Sequence, residues 1–249
     1  MPDAALSTRL AAAGLDWIVP DWPAPPNVHA LSTTRNLGPA REIDFSPRHP
    51  RVDEARRELR RFVPREPVWL AQAHGALIGS ADTAQAAPPQ ADGTIARTAG
   101  NVCSVLTGDC LPVLLTDRDG TVVAAAHAGW RGLAAGVLEA AVGAMRVAPA
   151  SVLAWLGPAI GPQAFEVGDE VYAAFCDDDP AAHACFVAQR PGKWHADLYG
   201  LARQRLLRCG VARVHGGGYC TYTDAARFFS YRRERASGRM ATAIWLEGE

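Results

Sequence analysis

Between residues 102 and 129 the chain strings together three apolar stretches, VCSVLTGDC, LPVLLTD and TVVAAAHAG, separated only by short turns containing Gly and Asp. A strand wetted on one face alternates apolar and polar residues. These runs do not alternate, so they predict strands covered on both faces. Around them the spacing becomes helical. In RVDEARRELRRF, Val52, Ala55, Leu59 and Phe62 share one face, and WRGLAAGVLEAAVGAMRV (130–147) reads as one helix. Further helices are expected over Asp169–Cys176 and Ala196–Cys209. Strands are expected over Val28–Thr34, over Pro67–Gly75 running into a turn, in SVLAWLGPAIGP, in ARVHGGG and in MATAIWLE. Interleaved strands and helices define an α/β (α+β-like) chain, a layered sandwich with a mostly mixed β-sheet flanked by helices. Residues 1–249 are expected to form a single domain, with 1–27 as a Pro-rich N-terminal lead-in closing on PDWPAPP.

Charge narrows the function. With 25 basic and 26 acidic residues among 249, the chain lacks the basic excess of a nucleic-acid binder. No run of 18 apolar residues is present to span a membrane. MPDAALSTRL has no basic region leading into an apolar stretch, so a cytoplasmic protein is expected. The six cysteines include no CxxC and read as reduced thiols.

His74 in QAHG, Cys110 in GDC and His127 in AHAGWRG stand at the expected ends of central strands, each beside a glycine-containing turn. Strand ends of this kind are where α/β sheets place ligands, and glycine allows close approach. Two imidazoles and a thiolate make a three-ligand zinc set with the fourth position open, the catalytic arrangement. They lie 36 and 17 residues apart, so they meet only in three dimensions. The same residues read equally well as hydrogen-bonded strand-end histidines and a buried apolar thiol.

Longer motifs carry a resemblance. QAHG (72–75), TGDCLPVLL (107–115), AAAHAGWRGL (124–133), WLGPAIGPQAFEVGDEV (155–171) and FFSYRRERASGRMA (228–241) together resemble the YfiH-like family, from Thr33 to Leu246. Its members have been called laccase-domain or polyphenol oxidase proteins and, more recently, purine nucleoside phosphorylases. The resemblance implies a zinc trio of His74, Cys110 and His127, with Cys110 and His127 also catalytic. It implies phosphorolysis of adenosine, inosine and methylthioadenosine to free base and sugar phosphate, accompanied by deamination of adenosine. Phosphorolysis needs an anchored phosphate. Arg131, at the start of a predicted helix just past His127, suits that role, with Arg232 in FFSYRR a second candidate. Arg35 is a third, in a loop that departs from the family's TTRxGG pattern across Asn36–Phe45. Ala73 and Gly108 are further departures, standing where relatives carry Val and Ala. Asp109, Asp92 and Glu166 are candidate proton carriers for deamination.

Other readings stay open. A multicopper oxidase draws on a larger set of histidines in paired HxH elements. This chain has seven His and no HxH; His195 and His215 stand alone, and His183 lies two residues from Cys185. The trio itself accepts Cu²⁺ as well as Zn²⁺, so weak polyphenol oxidation is expected as a side property of copper loading. Without metal, Cys110 and an imidazole form a thiol hydrolase or amidase, suited to editing peptidoglycan precursors. A non-enzymatic purine- or metal-binding module is the last alternative. The expected partners are a purine nucleoside and phosphate, with the chain a monomer or homodimer and no nucleic acid or membrane involved.

Overall fold

A computed structural model describes residues 3–38, 41–84, 86–177, 179–235 and 238–248. In chain order the strands are β1 (Val28–Ser32), β2 (Ile78–Ser80), β3 (Gly93–Ala96), β4 (Val102–Thr107), β5 (Leu111–Asp117), β6 (Val123–Ala128), β7 (Val152–Leu156), β8 (Glu166–Gly168), β9 (Phe186–Arg190), β10 (Lys193–Ala196), β11 (Arg213–Gly216) and β12 (Met240–Leu246). The helices are α1 (Ala4–Ala12), α2 (Val52–Leu59), α3 (Trp130–Ala134), α4 (Val137–Met145), α5 (Asp169–Cys176), α6 (Leu198–Arg208) and α7 (Tyr231–Glu234).

Six strands form a mixed sheet in the order β11-β7-β5-β6-β3-β2, parallel only at its two outer pairs. The period of two in its central strands divides their side chains between two cores. Leu111, Val113 and Leu115 of β5 face one way with Ala124 and Ala126 of β6, onto α4 and α6. Leu114, Val123 and Ala125 face the other way, onto Cys103, Val105, Met240 and Ile244 of an antiparallel sheet ordered β1-β12-β4. The outer face of that second sheet, with Leu31, Val102 and Ala243, is closed by Leu6 and Leu10 of α1 and by Ala55 and Leu59 of α2. The layers therefore run helix, sheet, sheet, helix. β4, β5 and β6 are buried at every residue, as non-alternating runs require. A small antiparallel sheet, β8-β10-β9, packs beside α5.

The structure corrects the sequence reading in three places. Residues 4–12 of the lead-in are α1, capped by the Asp3 carboxylate accepting from the Leu6 N–H at 2.9 Å. The helix expected over 130–147 is two helices, because Gly136 adopts φ 89°, a left-handed turn between α3 and α4. Pro67–Gly75 is not a strand. It makes one isolated bridge, Val68 to Cys103, and otherwise runs as extended chain. Its polar groups are met by side chains: Gln72 donates to the Leu106 carbonyl at 2.9 Å and accepts from the Leu106 N–H at 2.8 Å, imitating a strand partner. Among the described residues no helix is long and apolar enough to cross a membrane.

Candidate metal centre

Three segments converge at one end of the central strands. β6 delivers His127, the tight β4–β5 turn delivers Cys110, and the irregular chain ahead of β2 delivers His74. His127 shares parity with Val123 and Ala125, so it points between the two large sheets and is 3% exposed. Cys110 is half-buried and His74 exposed, which gives the trio a closed back and an open front. One ligand atom from each lies within 4.8 Å of the others, and Cys110 Sγ is 3.9 Å from His74 Nε2. The two imidazoles meet edge to face, with ring centroids 4.7 Å apart.

Asp92 organises this geometry. It is 1% exposed and spends both oxygens on the trio's supports. Oδ1 accepts from His127 Nδ1 at 2.9 Å and from the His74 N–H at 2.8 Å; Oδ2 accepts from the N–H groups of Gly75 at 2.7 Å and Ala73 at 3.2 Å. A carboxylate only accepts, so Nδ1 of His127 carries a proton, and Nε2 is the nitrogen left to ligate a metal, giving up its own proton on binding. The same bonds hold His74 at φ 60°, a conformation unfavourable for a non-glycine residue unless its surroundings impose it. Burial alone would raise the Asp92 carboxyl, but the bonds from His127, Gly75 and His74 outweigh it and hold the group below its ordinary value.

Burial likewise opposes ionisation of Cys110, yet hydrogen bonds from His127 and His74 bring its thiol down to about 6. His127 moves up to about 9 against its own burial, through Asp92 and Cys110. Ligand atoms around a tetrahedral zinc stand about 3.5 Å apart, so this set needs only a small contraction to close on the ion. A soft thiolate with two imidazoles fits zinc, and it also fits copper. Gly129 and Gly132 make room for the trio. A Cβ on Gly129 would stand 2.8 Å from Cys110 Sγ and 3.2 Å from His74 Cδ2, and one on Gly132 would stand 2.8 Å from the Gly75 carbonyl.

The arginines divide. Arg131 is exposed at the head of α3, two residues past Gly129, with its guanidinium 4.3 Å over the Trp130 ring. Arg232, also exposed, lies 5.7 Å from the Phe165 ring and is tied by its N–H to Asp109 at 2.7 Å. Arg35 is turned to the protein. Its terminal nitrogens pair with Glu42 at 2.5 Å and Glu234 at 2.9 Å, and the group covers Phe229 at 4.5 Å. Of the altered Asn36–Phe45 loop, positions 39 and 40 lie outside the described residues, as do 236 and 237 of the FFSYRRERASGRMA motif. Of the expected proton carriers, Asp92 is the His127 partner, Asp109 is anchored to Thr221 and Arg232, and Glu166 pairs with Arg190 at 3.0 Å on the small sheet. The positioning duty of Asp92 had no local signal, since its partner is 35 residues away.

A layered α/β fold with one His–Cys–His centre defines the class. The family model described as multi-copper polyphenol oxidoreductase laccase matches residues 35–247, and the chain belongs to that family. It is 49% identical over 241 residues to the Escherichia coli K12 protein named purine nucleoside phosphorylase YfiH, covering 92% of this chain and 98% of that one. It is 48% identical to purine nucleoside phosphorylase PA4543 of Pseudomonas aeruginosa, covering 93% of this chain and 98% of that one. The crystal structure of Neisseria meningitidis protein NMB0706 superposes with a TM-score of 0.90 at 45% identity, covering 94% of this chain and all of that one.

Proposed function

We propose that the chain is a zinc-dependent purine nucleoside phosphorylase. It takes adenosine, inosine and methylthioadenosine with phosphate to free base and sugar 1-phosphate. The observation that carries this reading is the open His74–Cys110–His127 centre backed by Asp92, in a chain about half identical to proteins bearing the phosphorylase name. In the reaction the bond from C1′ to the purine nitrogen breaks and a phosphate oxygen bonds to C1′. Positive charge that grows on the ribose is met by the phosphate dianion. Arg131 is the group assigned to hold that dianion: its fork suits two phosphate oxygens, and stacking on Trp130 limits the positions it samples. Arg232 is assigned the second contact, while Arg35 acts on the site through its pair with Glu234 on α7. Zinc, when bound by His74, Cys110 and His127, supplies a Lewis acid. Asp92 fixes the His127 proton on Nδ1, and the buried back wall keeps bulk water away from that side. Deamination of adenosine and weak polyphenol oxidation after copper loading are companion activities of the same centre. We place the reaction in the cytoplasm, where the free cysteines stay reduced, with the chain a monomer or homodimer.

Chromatography of adenosine and inosine incubated with the protein, with and without phosphate, tests the reading. Phosphate-dependent release of free base is expected, and Cys110→Ala should lose both bound zinc and turnover. Arg131→Ala should raise the phosphate KM more than it lowers deamination. Turnover that persists in metal-free protein would overturn the zinc assignment. It would favour a second reading with its own support: Cys110 near 6, His127 near 9 and Asp92 behind it form a thiolate–imidazolium–carboxylate array suited to a hydrolase or amidase. Zinc on Cys110 would quench that nucleophile, so one metal titration against both activities separates the two.

A further inference from the structure

Asp109 precedes the ligand Cys110, and its polar atoms are occupied by three other parts of the chain. Oδ1 accepts from the Thr221 hydroxyl at 2.6 Å, Oδ2 accepts from the Arg232 N–H at 2.7 Å, and the backbone carbonyl accepts from the Ile160 N–H at 3.0 Å. Those partners come from the turn after β7, the loop after β11 and the first turn of α7. Thr221 is fully buried and donates its own N–H to the Ala159 carbonyl at 3.0 Å, so the two loops also hold each other. α7 is otherwise pinned by Arg233, whose guanidinium donates to the carbonyls of Thr221 and Tyr222 at 2.7 Å.

We infer that Asp109 is a positioning residue, not a proton carrier: it locks the Cys110 turn and the start of α7 in one register, so that a metal ligand and the Arg232 side chain keep a fixed relation. The carboxylate is engaged on both oxygens by donors whose backbone or buried attachment prevents retreat. Charge-assisted bonds of this kind are short and hold geometry well. A proton carrier needs an oxygen turned to the substrate, and both oxygens here are turned to donors of the protein itself. The part played by Arg232 rests on the phosphorylase reading; the part played by Cys110 does not.

Asparagine and alanine separate the two roles. An Asp109→Asn amide can still serve both partners, its oxygen accepting from the Arg232 N–H and its NH2 donating to a rotated Thr221 hydroxyl. Asp109→Ala serves neither. With zinc alone as the probe, Asp109→Ala should weaken binding by about 10–100-fold, the range seen for supports behind metal ligands, and Asp109→Asn by clearly less. Thr221→Val removes one donor without touching Asp109, and should fall between them. In turnover, the phosphate KM should rise in the same order, Asn then Val then Ala, with kcat changing less than KM. Thermal unfolding of the metal-free variants identifies any that fail to fold, and Thr221→Val and Asp109→Asn then carry the comparison. Equal zinc affinity in wild type and all three variants would overturn the inference, whatever the reaction. So would an Asp109→Asn protein that keeps its zinc and phosphate KM yet loses kcat as completely as Asp109→Ala, because that is the signature of a proton carrier. If the zinc order appears and wild type releases no base with phosphate, the phosphorylase reading fails and the Cys110 half of the inference stands.

Discussion

Gly129→Ala should disable the metal centre while leaving the fold intact. The residue has φ −64° and ψ 159°, a conformation alanine adopts freely, so no backbone strain is introduced. The difficulty is space. The new methyl would stand 2.8 Å from Cys110 Sγ, about 0.6 Å inside the 3.4 Å where ordinary contact begins. The obstructing atom is the tip of a short side chain, and a rotation about χ1 removes the clash. That rotation costs about 0.5–1.5 kcal/mol even where it ends off a preferred rotamer. It also carries the sulfur out of the ligand set, and the methyl presses on His74 Cδ2 at 3.2 Å from the other side. Loss of one ligand's geometry should weaken zinc at least as much as loss of a supporting partner, about 10–100-fold. In free energy that is about 1.4–2.8 kcal/mol, with each tenfold worth about 1.4.

Gly132→Ala is the control. Its methyl would meet the Gly75 carbonyl at 2.8 Å and the His127 carbonyl at 3.4 Å, backbone atoms with no rotamer to change. Overpacking of that kind costs about 1–3 kcal/mol, against about 1 kcal/mol that alanine returns in a helix. Competition against a zinc-chelating dye measures the affinity, and thermal unfolding of metal-free protein measures the fold. For Gly129→Ala the metal-free midpoint should move by no more than about 2–4 °C per kcal/mol of rotamer cost, while zinc binding collapses. For Gly132→Ala the metal-free midpoint should drop. Wild-type zinc affinity in Gly129→Ala would refute the assignment of Cys110 as a ligand in this geometry.

Two further perturbations follow from carboxylates in different settings. Asp92→Asn cannot be accommodated by an amide flip, because each oxygen faces only donors. We expect about 10–100-fold weaker zinc in dye competition and a metal-free loss of about 1–3 kcal/mol in urea unfolding, one unsatisfied buried group's worth. Unchanged affinity would remove Asp92 from its role. Asp82 is held below its ordinary 3.8: burial raises it, and bonds from the Asn101 side chain and the Arg97 and Thr98 N–H groups more than offset that. Its contribution is therefore complete above 3.8 and lost as pH falls through the lower folded value. The stability gap between wild type and Asp82→Ala, from denaturant unfolding, should be flat from pH 7 to about 5 and close below pH 4. A gap unchanged at pH 3 would contradict it.

How much of this is legible in the sequence depends on where each residue finds its partner. β4, β5 and β6 read correctly because burial on both faces leaves an unbroken apolar run, and α5 because its pattern is complete within Asp169–Cys176. The sequence places His74 at the end of a strand, and the structure does not, because Gln72 and Asp92 supply from side chains what a neighbouring strand would supply from its backbone. Gly136 was invisible as a helix break because glycine inside an apolar helical pattern is tolerated as often as it terminates one. β9 and β10 carry charged and exposed residues in FVAQR and KWHA and lack strand periodicity. The trio is legible in motifs; Asp92 and Asp109 are legible only as candidate proton carriers, because the partners that set their actual bonding lie 17 to 123 positions away.

The histidines also bear on the family's copper name. Seven are present, and the structure distributes five of them to unrelated duties. His29 lies between Asp3 at 2.5 Å and Glu247 at 2.9 Å, and His183 bonds the Tyr172 hydroxyl at 2.8 Å. His49 accepts from the Arg51 N–H at 3.2 Å, His195 lies opposite Glu166 on β10, and His215 stands opposite Trp155 on β11. Only His74 and His127 come together, and among the described residues they form with Cys110 the one cluster able to hold a metal ion. A multicopper mechanism passes electrons between separate copper groups, and this arrangement provides one group. Oxidase and phosphorylase chemistry, where both occur, must therefore use the same three side chains. On the zinc reading proposed above the two chemistries differ in which ion those side chains hold, so loading with copper is expected to lower phosphorolysis as it raises oxidation, the two activities trading along a single occupancy curve.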